Sequence, residues 1–598
     1  MSGGDEVLRF ELDGKERGAR LRIERLTRQM VAELPARVFD LLEIATLVYA
    51  VDSSVSRGGT ALSQMGKKWH RRFVIDMPIR DLDFWTQSEV QDALESLLFF
   101  LSGDRFEFRF VAKSDDEAEA SRFFKFSSEL AWSPDRVLMF SGGLDSFAGA
   151  LEEIVRRENK VALVSHFSAT KIAPIQANLQ KAIAKKFGDS VSRHFPVSIN
   201  MVGSTVVEGT HRSRSFLFSV LGAVFANAFG RDRVSFYENG IVSLNLPPVG
   251  NVLSTRATRT THPQTLTLMT ALLSLVFDGG MRINNPFFWH TKTEVLKVVA
   301  DLSMVEQIAH TRSCADVHNQ TKQHVHCGRC SQCIDRRFAV LATGLDAHDP
   351  KEAYRVDLLE GVRKSAMDRE IVLSYVRNAE RYEQITPELI SQTMPEVLRA
   401  VDHLDQPAST ALENICQLLK RHGRSVMGVM NSTHAQRLGE EATESTLPRL
   451  YGDVRREQMF ERFEPVARIP DTGSDRVKVE IDRAHRRVSI DDAVLFKGNA
   501  TADLLLELAD VHLLSAGKGL PLFDFETIGA RALARRLSLG SDEAVRRRVL
   551  RCRTELKKKF ASANLDVQFA ESLIENVQGQ GYRLRPEVVE VVVVQSTQ

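Results

Sequence analysis

Between residues 135 and 345, short apolar runs alternate with segments of helical periodicity. The runs RVLMF, KVALVSHF, RHFPVSI, RVSFYENGI and MRINNPF alternate with helical segments such as DSFAGALEEIVRRE and QANLQKAIAKKFG. Strands that alternate with helices of this length favour a parallel sheet covered by helices on both faces. The pattern predicts an α/β domain over residues 133–348.

The remainder of the 598 residues is too long to share one core with that domain. Patterning predicts an N-terminal α+β accessory domain (1–132), a helical extension (349–430), a polar linker (431–475) and a separate C-terminal domain (476–598). Lys and Arg (79) balance Asp and Glu (78), so overall charge indicates no partner. With no apolar run of about 18 residues and no signal-peptide pattern, we expect a cytoplasmic protein without a membrane segment.

One junction in this domain, SGGLDS, has the composition of a phosphate loop. The apolar run at residues 137–140 leads into residues 141–146, and a helix begins at once. Glycines allow close approach to an anion, and the amides of a helix start point at it. Asp145 fits such a loop if a Mg²⁺ ion bridges it to the phosphates. The alternative is an ordinary turn in which Asp145 or Ser146 caps the helix.

SGGLDS resembles the PP-loop of the ATP pyrophosphatases, since no Gly-Lys-Ser/Thr of a Walker loop follows. The resemblance implies a fold of the adenine nucleotide alpha hydrolase type. It also implies cleavage of ATP between its α- and β-phosphates, with Mg²⁺ bound by Asp145. The residues that it assigns to ATP are Ser141, Gly142, Gly143, Leu144, Asp145 and Ser146.

Four of the six cysteines are concentrated in residues 314–333. Cys314, Cys327, Cys330 and Cys333 have the spacing C-x12-C-x2-C-x2-C, which predicts a closed tetrahedral Zn²⁺ site of the structural type. Such a cluster favours a metal site over a disulfide framework.

A PP-loop domain that ends in this cysteine pattern resembles the QueC family of 7-cyano-7-deazaguanine synthases, which act in queuosine biosynthesis. The segments HRSRSFLF, NPFFWHTKTEVLKV, TRSC and HCGRCSQC resemble family segments in the same order. The resemblance implies an ATP-dependent carbon–nitrogen ligase that adenylates the carboxylate of 7-carboxy-7-deazaguanine. It suggests Asp145, Lys292 and Arg214 as catalytic residues, and the two cations suit charge building on phosphate and acyl oxygens. The alternative for Lys292 and Arg214 is an ordinary solvated or salt-bridged side chain.

The chain departs from that family where the substrate base would bind. The stretch YENGIVSLNLPPVGN stands in place of the family's segment after the fourth strand. We expect Glu238, Asn239 and Asn245 to hydrogen-bond a guanine-like substrate.

The C-terminal domain contains a strongly basic helix at residues 541–560, whose apolar residues recur at helical spacing. The following LIENVQGQGYRL resembles the wing hairpin of response-regulator winged helices. The resemblance implies DNA contact by the basic helix, with a protein-binding surface or a merely solvated face as the alternatives. The candidate DNA contacts are Arg546, Arg547, Arg551 and Lys558.

Three functions follow from these patterns. Multidomain QueC-like proteins of this kind resemble components of anti-phage systems of the CBASS and Qat types. That resemblance implies antiviral conjugation of the deazaguanine to an amine of a partner protein. The second possible function is synthesis of the nitrile 7-cyano-7-deazaguanine from ammonia, for nucleic-acid modification. A nucleotide-sensing, DNA-binding regulator with a retired PP-loop is the third.

Overall fold

The computed structural model of the chain describes most, but not all, of its residues. The described residues are 11–12, 18–24, 34–57, 70–113, 124–125, 132–167, 172–202, 208, 212–246, 259–278, 280–314, 321, 323–436, 443–453, 477–518, 520, 525–563, 565, 570, 573–577, 581–586 and 588–594. Most of the predicted linker and the tip of the predicted wing hairpin lie outside them. Contacts group the chain into two compact units: residues 1–56 with 70–464, and residues 57–69 with 465–598.

The strands are numbered in chain order. They are β1 (Glu11–Leu12), β2 (Gly18–Glu24), β3 (Arg72–Ile79), β4 (Arg105–Ala112), β5 (Phe124–Lys125), β6 (Arg136–Met139), β7 (Val161–Phe167), β8 (Ser192–Val202), β9 (Arg233–Ser235), β10 (Arg282–Asn284), β11 (Val477–Asp482), β12 (Arg487–Ile490), β13 (Val494–Lys497), β14 (Ile574–Val577), β15 (Gly581–Leu584) and β16 (Val589–Val593).

The α-helices are numbered in the same way. They are α1 (Ala36–Ser54), α2 (Leu82–Trp85), α3 (Ser88–Ser102), α4 (Leu144–Leu151), α5 (Ala173–Phe187), α6 (Arg214–Ala228), α7 (Gly240–Ser243), α8 (Pro263–Val276), α9 (Lys292–Asp301), α10 (Ser331–Thr343), α11 (Ala366–Glu383), α12 (Pro387–Thr393), α13 (Pro395–Val401), α14 (Ala408–Gln436), α15 (Ala500–Gly517), α16 (Ala530–Arg536) and α17 (Asp542–Ser562).

The first unit is built on a sheet whose centre is parallel, as the alternating pattern predicts. Its order is β1-β2-β8-β7-β6-β9-β10, and the five strands from β8 to β10 are parallel. Along β6, Val137 belongs to the hydrophobic cluster with α6 and α8, whereas Leu138 belongs to the cluster with α4, α5 and α9. Because successive residues of a strand point to opposite faces, helices cover both faces of this sheet.

The N-terminal region is continuous with this sheet. Strand β2 pairs antiparallel with β8, and α1 shares a hydrophobic cluster with α6 and α8. Strands β3 and β4, joined by helices, form a separate parallel pair. The boundary predicted at residue 132 therefore falls inside one compact unit.

The helical extension also packs on the α/β core. Ile415 and Leu419 of α14 share a cluster with Leu244 and Phe288 of the core. Helix α14 continues to Gln436, into the segment predicted as a linker.

The second unit combines a sheet with three helices and a hairpin. Its sheet has the order β13-β12-β11-β16, and β14 and β15 form an antiparallel hairpin. Helices α15, α16 and α17 share one hydrophobic cluster with these strands. Ile528, just before α16, forms a bridge with Tyr582 of the hairpin.

A helix that crosses a bilayer must be both long and apolar. No helix in the described part of the chain combines these two properties.

We predict that Gly149→Ala destabilises the first unit. A Cβ at Gly149 would lie 2.0 Å from the ring of Tyr237, whose hydroxyl donates to the buried Glu153. Overpacking of this kind costs about 1–3 kcal/mol, so the calorimetric unfolding transition should move to lower temperature. Gly428→Ala is the control, because a Cβ there meets nothing within 4 Å. Equal melting of the two variants would contradict the prediction.

Candidate functional site

The candidate site lies at the carboxyl ends of the central strands. Strand order is β8-β7-β6-β9-β10, so successive strands are added in opposite directions on either side of the β6–β9 pair. Ligands of open α/β sheets bind in the crevice at such a reversal. Residues 140–146 follow β6, residues 236–239 follow β9 and residues 285–292 follow β10. Side chains from all three segments meet there.

The loop after β6 has the geometry of an anion cradle. Gly142 has φ +80°, which favours glycine. The Gly143 N–H donates to Ser141 Oγ at 3.2 Å, and Ser146 Oγ donates to the Gly143 carbonyl at 3.1 Å. The two serine Oγ atoms lie 3.1 Å apart, beside the start of α4, which no side chain caps. Converging hydroxyls at an uncapped helix start suit a phosphate.

Two neighbouring segments fix the path of this loop. Gln176 of α5 is fully buried, and its Nε2 donates to the Ser141 carbonyl at 3.2 Å. The Arg312 N–H donates to the Gly142 carbonyl at 2.9 Å. With these carbonyls bonded to the protein, the loop offers mainly donors to a ligand.

Asp145 forms the centre of the polar contacts. Lys292 Nζ lies 2.9 Å from Oδ1, and the two side chains are only 3% and 11% exposed. Asn239 Nδ2 donates to Oδ2 at 3.1 Å. Oδ1 is buried, and the Lys292 ammonium is its charged neighbour. A carboxylate at the start of such a loop is the type of group that Mg²⁺ binds.

Lys292 is the first residue of α9, and the contacts at the start of this helix fix its position. Thr291 and Glu294 form a reciprocal capping box, in which Glu294 Oε2 accepts from the Thr291 N–H at 2.8 Å. Arg421 of α14 donates to Glu294 Oε1 at 2.8 Å and to the Trp289 carbonyl at 2.8 Å. The helical extension thus braces the helix that carries Lys292.

Glu238 lies half-buried at the end of the segment after β9. Thr261 donates to its Oε2 at 2.6 Å. Asn285 holds its backbone, because Nδ2 donates to the Glu238 carbonyl at 2.8 Å and Oδ1 accepts from its N–H at 3.1 Å. Burial raises the pKa of Glu238 and the nearby Asp145 carboxylate adds to the rise, while the Thr261 hydrogen bond opposes it.

The two asparagines predicted beside Glu238 have different surroundings. Asn239 uses both ends of its amide inside the protein, since its Oδ1 accepts from the Val242 N–H at 3.2 Å and its Nδ2 donates to Asp145. Asn245 lies in the turn after α7 with φ +53°. Among the described residues, no side-chain contact of Asn245 reaches Asp145 or Glu238.

Arg214 is the first residue of α6, and its guanidinium carbon lies 5.3 Å from the centre of the Phe218 ring. The preceding Ser213 donates from N at 3.0 Å and from Oγ at 2.8 Å to Asp52 of α1. Burial alone would raise the pKa of Asp52, yet the charge of Arg71 and the bonds from Ser213 hold it below its ordinary value. The N-terminal region therefore fixes the start of α6.

The four predicted metal ligands are brought together. The Sγ atoms of Cys314, Cys327, Cys330 and Cys333 all lie within 4.8 Å of one another. Cys327 Sγ and Cys333 Sγ are 3.8 Å apart, which is about the sulfur separation of a tetrahedral site with Zn–S bonds of about 2.3 Å. Hydrogen bonds from the other thiols and from the Cys330 amide lower the pKa of Cys327. The cluster can hold a metal ion of the Zn²⁺ type.

A buried ion pair lies against this cluster. Arg336 is fully buried, and it donates to Asp349 at 2.7 Å and to the Ile308 carbonyl at 2.7 Å. Gly328, in the turn between two cysteines, has φ +71° and touches Val356 so closely that a Cβ would lie 1.8 Å from its carbonyl oxygen. The turn that presents the thiols is thus packed rather than exposed.

Part of the chain matches a known family. Residues 261–344 match the family model described as the queuosine biosynthesis protein QueC. The matched stretch contains Thr261, Lys292 and the four cysteines, and it ends before the helical extension. No curated protein matches the chain.

The second unit exposes the predicted basic residues. Helix α17 buries the stripe Val545, Val549, Cys552, Leu556 and Phe560. Arg546, Arg547, Arg551 and Lys558 are all exposed. Arg583, in contrast, is turned inward, because it donates to Glu575 and to the Phe525 carbonyl, both at 2.7 Å.

Four residues that hold the candidate site in position were not predicted from the sequence. Asn285 was detectable, because it is a polar residue that directly follows a predicted strand of the parallel sheet. Gln176, Arg421 and Asp52 carried no comparable signal, since each sits in an ordinary helical pattern far from the loop in sequence.

We predict that the purified protein binds one Zn²⁺ per chain through the four thiolates. Cys330→Ser should lower the zinc content measured by elemental mass spectrometry, because a hydroxyl is a poor zinc ligand. Cys416→Ala, which removes a buried cysteine outside the cluster, should keep it. Full zinc content in a Cys327→Ser/Cys330→Ser variant would refute the assignment.

Proposed function

We propose that the chain is an ATP-dependent ligase that adenylates the carboxylate of 7-carboxy-7-deazaguanine, releases pyrophosphate and passes the acyl group to an amine. The observation that carries the proposal is the buried contact of Lys292 with Asp145 at the mouth of the phosphate loop. The QueC match, which includes Lys292 but not the loop at residues 141–146, supports a deazaguanine-related substrate.

In the first step a carboxylate oxygen of the substrate attacks the α-phosphorus of ATP, and the bond to the pyrophosphate oxygen breaks. The loop amides and the Ser141 and Ser146 hydroxyls bind the leaving pyrophosphate. Lys292 offsets the charge that builds on the phosphate oxygens, and Arg214 does the same at the acyl end. A Mg²⁺ ion held by Asp145 would supply further charge neutralisation on the phosphates.

In the second step the amine nitrogen attacks the acyl carbon, AMP leaves and the nitrogen loses a proton. Glu238 is the residue best placed to recognise the substrate, because Thr261 holds one of its oxygens and Asn285 fixes its backbone. A carboxylate of this kind matches the N–H groups on the edge of a guanine-like base. That the acceptor is an amine of a partner protein in anti-phage defence stays a prediction, with ammonia as the alternative acceptor.

We predict that ATP, Mg²⁺ and 7-carboxy-7-deazaguanine together yield AMP and pyrophosphate. Asp145→Asn and Lys292→Met should each lower the rate by on the order of 10² or more. The first weakens the proposed Mg²⁺ ligand, and the second removes a positive charge at the reacting phosphates. Substrate-dependent pyrophosphate release and mass spectrometry of the acyl product are the measurements.

Matched controls separate chemistry from folding. Asp301→Asn, at the exposed end of α9, and Lys181→Met, exposed on α5, should leave the rate unchanged. The proposal fails if AMP formation does not depend on the deazaguanine. The site assignment fails if Asp145→Asn keeps the full rate.

We propose a second function for the other unit: binding of duplex DNA by the exposed face of α17. The observation that favours DNA binding is that this helix has one buried apolar face and one exposed basic face. Its apolar stripe is buried, while Arg546, Arg547, Arg551 and Lys558 are exposed. The bridge between Ile528 and Tyr582 ties the hairpin to the segment before α16, next to this helix.

We predict that Arg546→Gln/Arg547→Gln weakens binding to a random-sequence duplex, measured by fluorescence anisotropy from 50 to 200 mM salt. Two lost phosphate contacts should reduce the slope of log K against log salt by about 1.8. Arg487→Gln, exposed on β12, is the control. An unchanged slope in the double variant would exclude α17 as the contact surface.

A further inference from the structure

A second concave surface lies beside the candidate site, on the far side of α9. It is a groove of about 690 Å³ between α9, α10 and α14. Volumes of about 300–1,000 Å³ are typical of small-molecule sites. Lys292 points from the first turn of α9 into the candidate site, whereas Thr293 and Lys297 of the same helix line the groove.

One wall of the groove is cationic. Lys297, Arg421 and Arg424 line it, and the acidic residue among the lining side chains, Glu294, is paired with Arg421. Lys297 and Arg424 are exposed, and neither has a carboxylate partner among the described residues. Because two positive charges remain without an internal partner, this wall suits an anion.

Another part of the lining is apolar. Leu341, Leu359 and Val429 line the groove and belong to one hydrophobic cluster. Thr293 Oγ1 and Ser425 Oγ are 2.6 Å apart, so they form a hydroxyl pair where α9 meets α14. A ligand that fills this groove needs an anionic group for the cations and a flat or apolar body for the apolar lining.

The floor is open because α14 carries glycine there. A Cβ at Gly428 would meet nothing within 4 Å, so the helix does not require glycine for packing. Glycine in the middle of a helix lowers its stability relative to alanine. The space beside Gly428 is open to the groove, and a small side chain there would leave it open.

We propose that this groove, formed by Lys297, Arg424 and the apolar wall around Val429, binds a nucleoside monophosphate or a phosphorylated ring compound of that size. The phosphate lies against Lys297 and Arg424, and the ring lies against the apolar wall. The site is separate from the phosphate loop and does not depend on the proposed ligase reaction.

Equilibrium dialysis of the full chain with radiolabelled UMP tests the proposal. UMP is chosen because it is neither an adenine nucleotide nor a guanine analogue, and so it does not address either half of the proposed ligase site. We expect saturable binding below about 1 mM. Lys297→Glu/Arg424→Glu and Gly428→Phe should each weaken it at least tenfold, the first by charge reversal and the second by filling the floor.

Three controls should bind UMP like the unaltered chain. They are Gly428→Ala, which keeps the groove open, Lys181→Glu, which reverses an exposed charge elsewhere, and Asp145→Asn, which alters the loop site. The thermal melting of Gly428→Phe shows whether that variant is folded. The proposal is overturned if UMP does not bind below about 1 mM, if binding survives both groove variants, or if Asp145→Asn abolishes it.

Discussion

The reversal of strand order between β6 and β9 is the constraint on which the candidate site depends. It brings the ends of three chain segments to one edge of the sheet, so that Asp145, Asn239 and Lys292 meet although they are far apart in sequence. A buried ion pair adds little net stability, because desolvation offsets most of the attraction. The placement of this pair therefore favours a role in binding or chemistry.

The cysteine cluster and the loop at residues 141–146 are linked through one short segment of backbone. The Arg312 N–H donates to the Gly142 carbonyl, and only Ser313 separates Arg312 from Cys314 of the cluster. A metal held by the four cysteines would therefore also order a neighbour of the loop. A closed site of four thiolates has no open coordination position, so such a metal would help to shape the crevice and would not contact the substrate.

The segments outside the α/β core also shape the site. Asp52 of α1 holds Ser213, which directly precedes Arg214, and it is locked by Arg71. Arg421 of α14 holds Glu294 and thereby the start of α9. Asp52 and Arg421 are both charged side chains, and each bonds a residue near the site that lies more than 100 residues away in sequence. Their loss would disturb the candidate site without touching a ligand.

Local patterns in the sequence determined the parallel α/β core, the loop at residues 141–146, the cluster of four cysteines and the two faces of α17. Each of these depends on neighbouring residues: glycines at a strand–helix junction, thiols at close spacing, or apolar residues at helical spacing. Only the tertiary structure decided that the Asn239 amide donates its hydrogen bond to Asp145. The same holds for the pairing of the N-terminal region with the main sheet and for the cationic groove between α9, α10 and α14. These features depend on which segments, distant in the sequence, become neighbours in the fold. The periodicity of a helix or a strand shows which of its faces is buried, but not which segment packs against that face.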